Sequence, residues 1–174
     1  MSSRAFLPLF LGIAPVAGAA DIVDVRQADM KAISDAAKSI SEMFRDPNSY
    51  RSADFESAAG TIRDKAGERL IDHFADGIAD SRSKAKPNIV EEKDRFARLA
   101  SDLRDYANAL SVAAEENPVA MTDKMRMKPG EAMGGGPFGT HASNEALASM
   151  PAEHAFHLML QTCKTCHARY RMGH

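Results

Sequence analysis

Apolar residues recur at helical spacing in four stretches of this chain. Between Ile22 and Arg45, positions 26, 30, 33, 37, 40 and 44 step by three or four and hold Arg26, Met30, Ile33, Ala37, Ile40 and Phe44. Such a repeat lays one stripe along one face of a helix, so a helix is predicted over 22–45. Asp46-Pro47-Asn48-Ser49 breaks it. A second helix is predicted over about 53–75, with Phe55, Ala59, Ile62, Ala66, Leu70 and Phe74 on its inner face. Residues 76–86 read as a loop. In the third helix Asn88 and Glu91 stand at capping-box spacing. Its stripe is Phe96, Leu99, Leu103, Ala107, Leu110 and Ala114, and Asn117-Pro118 ends it. The fourth starts near Pro151 and runs through Phe156, Met159, Cys163, Cys166 and Tyr170. Residues 118–150 keep no period. They carry Met121, Met125, Met127, Met133 and Met150, with Gly134-Gly135-Gly136-Pro137 among them, and read as a long Met/Gly-rich loop. Its methionines read as packing or docking filler rather than Cu(I) ligands.

Four amphipathic helices without a strand pattern predict an all-α fold, an antiparallel four-helix bundle, in one domain over 21–174. One inward position, Arg26, is charged, and a buried charge requires a partner.

The first twenty residues change the picture of where this bundle works. Arg4 precedes an apolar run from Phe6 to Val16, followed by small residues at Ala17-Gly18-Ala19-Ala20. That order marks a secretory signal peptide over 1–20, cleaved after Ala19 or Ala20. The run is too short to span a bilayer. The expected location is the periplasm, with no integral span after cleavage. The formal net charge of −2 gives no basic excess of the kind nucleic acid requires.

Both cysteines of the chain fall in Cys163-Lys164-Thr165-Cys166-His167. C-x-x-C-H reads as a c-type haem attachment site. On a helix, residues 163, 166 and 167 are i, i+3 and i+4 and share a face. The two thiols can then form thioethers to one haem edge while His167 takes the iron from below. A redox disulfide would want a βαβ setting, and a closed zinc site would need two more ligands, with His154, His157 and His174 as the candidates. Arg171, at i+4 from His167, is expected beside the imidazole edge. His73, His141, His154 and His157 read as surface or loop histidines.

With these pieces placed, the chain resembles the class II cytochromes c, the cytochrome c-prime family, whose members carry C-x-x-C-H near the C-terminus. Val25-Arg26-Gln27-Ala28-Asp29-Met30-Lys31 is similar to the family's first-helix segment, Ser81 to Ile89 to its loop into the third helix, and Cys163 to Arg171 to its C-terminal motif. Val90 stands where the family often has Trp, and 118–150 is longer than the usual third connection. The resemblance implies one covalently bound haem c, Arg26 beside a haem propionate, and Met30 on the distal side of the iron. It implies a non-enzymatic electron carrier cycling between Fe(III) and Fe(II) with His167 and Met30 as ligands, serving redox partner proteins. The alternative is a five-coordinate haem that binds nitric oxide or carbon monoxide, with Met30 only packing over it. Apolar outer faces on the first two helices would suit a homodimer, as in many relatives.

Overall fold

The computed structural model describes residues 21–75, 78, 82–130 and 144–173. The expected signal peptide at 1–20, together with Met133, His141 and His174, lies outside the described residues. The helices among the described residues are α1 (Ile22–Arg45), α2 (Ser52–Lys65), α3 (Gly67–Asp72), α4 (Asn88–Glu91), α5 (Lys93–Glu116), α6 (Asn144–Ser149) and α7 (Ala152–Tyr170). Four arms, α1, α2 with α3, α4 with α5, and α7, make an antiparallel four-helix bundle. No strand occurs among the described residues; a single bridge joins Ala85 to Arg171.

Each arm forms where the apolar period dictates, and local chemistry sets its ends. The Asp21 carboxylate accepts the Val23 N–H at 2.8 Å and caps α1. Asp46 ends it and accepts the Asn48 N–H at 3.1 Å to start a 3-10 turn over Pro47–Ser49. The second arm is not the single helix that its stripe predicts. Ala66 is extended and Gly67 takes φ +57°, which interrupts the arm. A Cβ on Gly67 would lie 2.9 Å from Cδ of Arg104, so glycine also admits a close approach of α5. The inner stripe survives, because Ala66 and Leu70 are both buried. The third arm breaks too, at Glu92. The expected capping box does not form: Asn88 lies inside α4, and its side chain donates to the carbonyl of Arg169 at 3.2 Å.

The described parts of the stretch 118–150, residues 118–130 and 144–150, are more structured than its lack of period suggests. Residues after Asn117 fold back over the bundle end. Met125 is fully buried, its carbonyl accepts the Glu153 N–H at 2.8 Å, and Met127 N–H donates to the Glu153 carboxylate at 2.9 Å. Arg126 pairs with Glu153 at 3.1 Å and donates to the carbonyl of Phe44. Tyr50 donates to the carbonyl of Asn117 at 2.9 Å. The segment is therefore a plug, with α6 beside it burying Leu147.

The buried core falls into two clusters. The larger runs through α1, α2, α5, the plug and α7 and holds Ile40, Phe44, Phe55, Ile62, Leu110 and Met159. The smaller holds Leu70, Ile89, Phe96, Ala100 and Tyr170. α1 packs closely on α2, α2 and α3 on α5, and α5 on α7, whereas α1 and α7 share no comparable run of close backbone. Those two helices meet at one end through Phe44 and Phe156, whose rings are 5.5 Å apart. The outer faces of α1 and α2 are polar rather than apolar: Gln27, Lys31, Asp35, Lys38 and Glu42 are exposed on one, Asp54, Glu56 and Asp64 on the other.

Candidate haem site

The C-x-x-C-H motif lies in the last turns of α7. That helix continues to Tyr170, so Cys163, Cys166 and His167 do share a face. Both thiols are half-buried and free. Cys163 packs against the larger core cluster, Cys166 against the smaller, and Met30 of α1 against both. The residues that the motif and the first helix nominate thus meet the seam between the two clusters, away from the end where Phe44 and Phe156 join the same two helices.

The donor set fits a covalently held haem. Burial pushes the Cys163 thiol up. Burial, and secondarily Cys163, pushes Cys166 up to about 12. Both remain protonated thiols at neutral pH, unlike the depressed thiolates of redox C-x-x-C sites. A thiol adds across a vinyl group with no atom lost and no oxidant required. His167 is exposed overall, yet partial burial of its ring, then the Arg171 cation, hold its pKa below the ordinary value. Its imidazole is therefore neutral and able to ligate. Among the described residues no group of three or more His, Cys, Asp and Glu could hold a metal ion. A groove of about 1230 Å³, lined by Arg63, Arg104, Arg126 and Met150 among others, lies apart from these residues.

The end of α7 is fixed by a segment far away in sequence. The last carbonyls of a helix lack helical partners, and residues 86–88 supply several of them. Lys86 N–H donates to the Tyr170 carbonyl at 2.8 Å, Lys86 Nζ to that of Ala168 and Asn88 Nδ2 to that of Arg169, each at 3.2 Å. Met172 N–H returns a bond to the Lys84 carbonyl at 2.8 Å. Glu92, at the α4–α5 break, accepts from Arg169 Nε at 2.9 Å and from the Tyr170 hydroxyl at 3.1 Å. Tyr170 meets Phe96 edge to face at 5.5 Å. Sequence reasoning missed Glu92 and Lys86; the likeness of 81–89 to the family's loop was the available signal.

Arg26 is buried, as its place on the inner stripe predicts. Its guanidinium donates to the backbone carbonyl of His73, from Nε at 2.7 Å and from Nη2. It also lies 4.3 Å over the ring of Phe74, a cation–π contact. Asp29 faces inward as well, a burial that the stripe did not include. Its carboxylate meets Lys65 at 2.5 Å, Arg69 at 2.8 Å and the ring of His73 at 3.6 Å. Burial alone would raise its pKa, but the bonds from Arg69 and Lys65 prevail and hold it below the ordinary value. Two histidine expectations fail: His73 and His154 are buried rather than on the surface. His73 closes the polar seam between α1 and α3, and His154 sits on the inner face of α7; only His157 is exposed as expected. Arg171 is exposed beside His167.

A family model described as Cytochrome C' matches residues 21–132, well over half of the chain. The chain belongs to the cytochrome c' family. Its members bind one covalently attached haem c, and this protein is a monohaem c-type cytochrome. The match stops short of Cys163, so the attachment residues rest on their own motif and geometry. Solved structures agree on the fold. Cytochrome c' from Thermochromatium tepidum is 20% identical, with a TM-score of 0.60 over 87% of this chain and 95% of that one. A cytochrome c' with an unusual ligand-controlled dimer dissociation is 19% identical, with a TM-score of 0.60 and the same coverage of 87% and 95%. Cytochrome c prime from Shewanella frigidimarina is 20% identical, with a TM-score of 0.58 over 88% and 96%. No curated protein matches the chain. No helix among the described residues is long and apolar enough to cross a membrane.

Proposed function

We propose that this cytochrome is an exported, periplasmic, non-enzymatic haem protein that takes a diatomic gas on its Met30 side and exchanges electrons at its His167 side. When bound, the haem would supply one-electron cycling of its iron and a site for a small ligand. Cys163 and Cys166 anchor it, and His167 presents a neutral imidazole from the same helix face. Arg26 lies one turn before Met30 on α1, held by the His73 carbonyl, and is the cation that would meet a propionate on that side. Glu92, Tyr170 and Lys86 hold the last turn of α7, and with it the orientation of His167.

The observation that carries this reading is the packing of Met30. It is wedged against both core clusters, where a flexible thioether fills the seam. Packed there, it keeps the distal side apolar and dry, which favours small uncharged ligands. The His/Met ligand pair implied by the first-helix likeness gives way to this reading, since members of the cytochrome c' family are typically five-coordinate and one solved relative has a ligand-controlled dimer dissociation.

Spectra of the haem-loaded protein and of Met30→Ala test it. Both should be high-spin, and the variant should bind carbon monoxide faster once reduced. A sulfur-to-iron charge-transfer band in the ferric wild type, absent from Met30→Ala, would instead establish Met30 as a ligand and return the protein to the six-coordinate carriers.

A further inference from the structure

The groove of about 1230 Å³ takes no part in the haem site. It follows α5, which lines it from Arg104 to Glu116, about 18 Å at the helical rise. Its other walls are the segment after Asn117 and the turn from α6 into α7, which contribute Met125, Leu147 and Met150. Ordinary small-molecule sites enclose roughly 300–1,000 Å³. A groove this large and this long suits an elongated ligand better than a compact one.

The floor of the groove is apolar where the rest of the bundle exterior is polar. The inner stripe of α5 passes through Leu103, Ala107, Leu110 and Ala114, all buried. Ala109, Val112 and Ala113 lie off that stripe, toward the outside, where α1 and α2 present charged and polar side chains. Val112 is still 41% exposed, so neither α6 nor the plug closes over it. The two ends of the groove differ in charge. Arg104 stands at one end of the α5 stretch, and Arg63 enters from α2. Gly67, one turn beyond Arg63, touches Arg104, which brings both guanidiniums to that end. Asp64 takes Nε of Arg63, and Asp105 takes Nε and Nη2 of Arg104, each at 2.9 Å. A guanidinium has five N–H donors, so donors remain on both. The far end is mixed, with Glu116 and Asp123 set against Lys124 and Lys128. Arg126 is already engaged by Glu153 and the Phe44 carbonyl.

We propose that this groove binds a free long-chain carboxylate, its head on Arg63 and Arg104 and its tail along Ala109, Val112 and Ala113. A planar carboxylate matches the fork of a guanidinium. The tail removes the apolar floor from water, which is the gain that a compact anion such as phosphate lacks. Glu116 and Asp123 repel an anion at the far end, so the ligand has one orientation. A cationic amphiphile of the same length meets guanidiniums where its head would sit. The floor lies between walls, so it receives a single free chain and not a bilayer surface.

The test is isothermal titration calorimetry of the full-length, haem-loaded protein with dodecanoate below its micellar concentration. One site should fill. Dodecyltrimethylammonium, with the same tail and the opposite head, should bind about ten-fold more weakly or worse. Acetate, the head alone, should give no measurable heat. Arg63→Gln/Arg104→Gln should weaken dodecanoate by about ten-fold and erase its advantage over the ammonium. Val112→Glu sets a charge on the floor and should abolish binding. Val119→Glu, at a fully exposed valine outside the groove, should leave it unchanged. With dodecanoate bound, amide exchange should slow at residues 109–113 and 147–150. Slowing at residues 160–170 instead would place the ligand in the haem seam and overturn the groove. So would equal affinity for the two amphiphiles, equal losses in Val112→Glu and Val119→Glu, or no dodecanoate binding by the wild type. If Val112→Glu lowers the thermal midpoint, the arginine pair and the exchange pattern decide alone.

Discussion

Asp29 and His73 show how one polar pair governs the ground beside the candidate distal residue. Asp29 immediately precedes Met30 and ties α1 to Lys65, Arg69 and His73. Removing it strands cations that are themselves half-exposed, so Asp29→Ala should cost about 1–3 kcal/mol in urea unfolding at pH 7. The folded pKa of Asp29 lies below its ordinary value. Its contribution is therefore complete above the ordinary carboxylate range and lost as pH falls through the folded pKa, so wild type and variant should converge in strong acid. His73 has the opposite chemistry. Burial first, with the Arg69 and Arg26 cations, outweighs Asp29 and lowers its pKa. The unfolded chain then binds a proton before the folded one does. Its contribution is complete above about pH 6.5 and declines below that, down to the folded pKa. His73→Gln should flatten that limb of the stability–pH curve measured by urea midpoints.

At the scale of elements, the breaks matter as much as the helices. Gly67 turns the second arm with a left-handed φ and leaves room for Arg104. Gly67→Ala meets both constraints and should lower stability by about 1–2 kcal/mol or more, read as a fall in the thermal midpoint. The break at Glu92 places a carboxylate where Arg169 and Tyr170 converge. Bonds from the arginine, then from the tyrosine, outweigh burial and hold its pKa below the ordinary value. Glu92→Ala should loosen the last turn of α7. In the haem-loaded protein this should appear as faster amide exchange at residues 167–171 and a shifted reduction potential, with exchange in α1 and α2 unchanged.

At the scale of the molecule, two ends of one bundle have divided the work. One end is sealed by residues 117–127, with Met125 fully buried, and Glu153 and Arg126 hold the seal in place. Met125→Ala opens a cavity there and should cost about 2–5 kcal/mol, visible as a lower denaturation midpoint with the Soret spectrum unchanged. The other end holds the seam between the two core clusters, where α1 and α7 lack a close run of backbone. A protein stripped of both anchors, Cys163→Ala/Cys166→Ala, should keep its helical circular dichroism but melt at a lower temperature than the loaded wild type. That outcome is expected because the sealed end is packed by protein side chains alone.

The sequence by itself determined the helical arms, the inner stripes and the attachment motif, because each depends on residues within a few positions of one another. The period of 3.6 residues places Phe55, Ile62, Leu103 and Leu110 inside whatever the arms pack against, and C-x-x-C-H on a helix places three side chains on one face. Only the tertiary structure decided the rest. Asp29 is buried because Lys65 and Arg69 come from another arm to meet it, and no pattern within α1 records that. Asn88, which reads as a cap for its own helix, serves the end of α7 instead. Residues 118–127 keep no period because they cover a bundle end, where the surface to be filled repeats nothing.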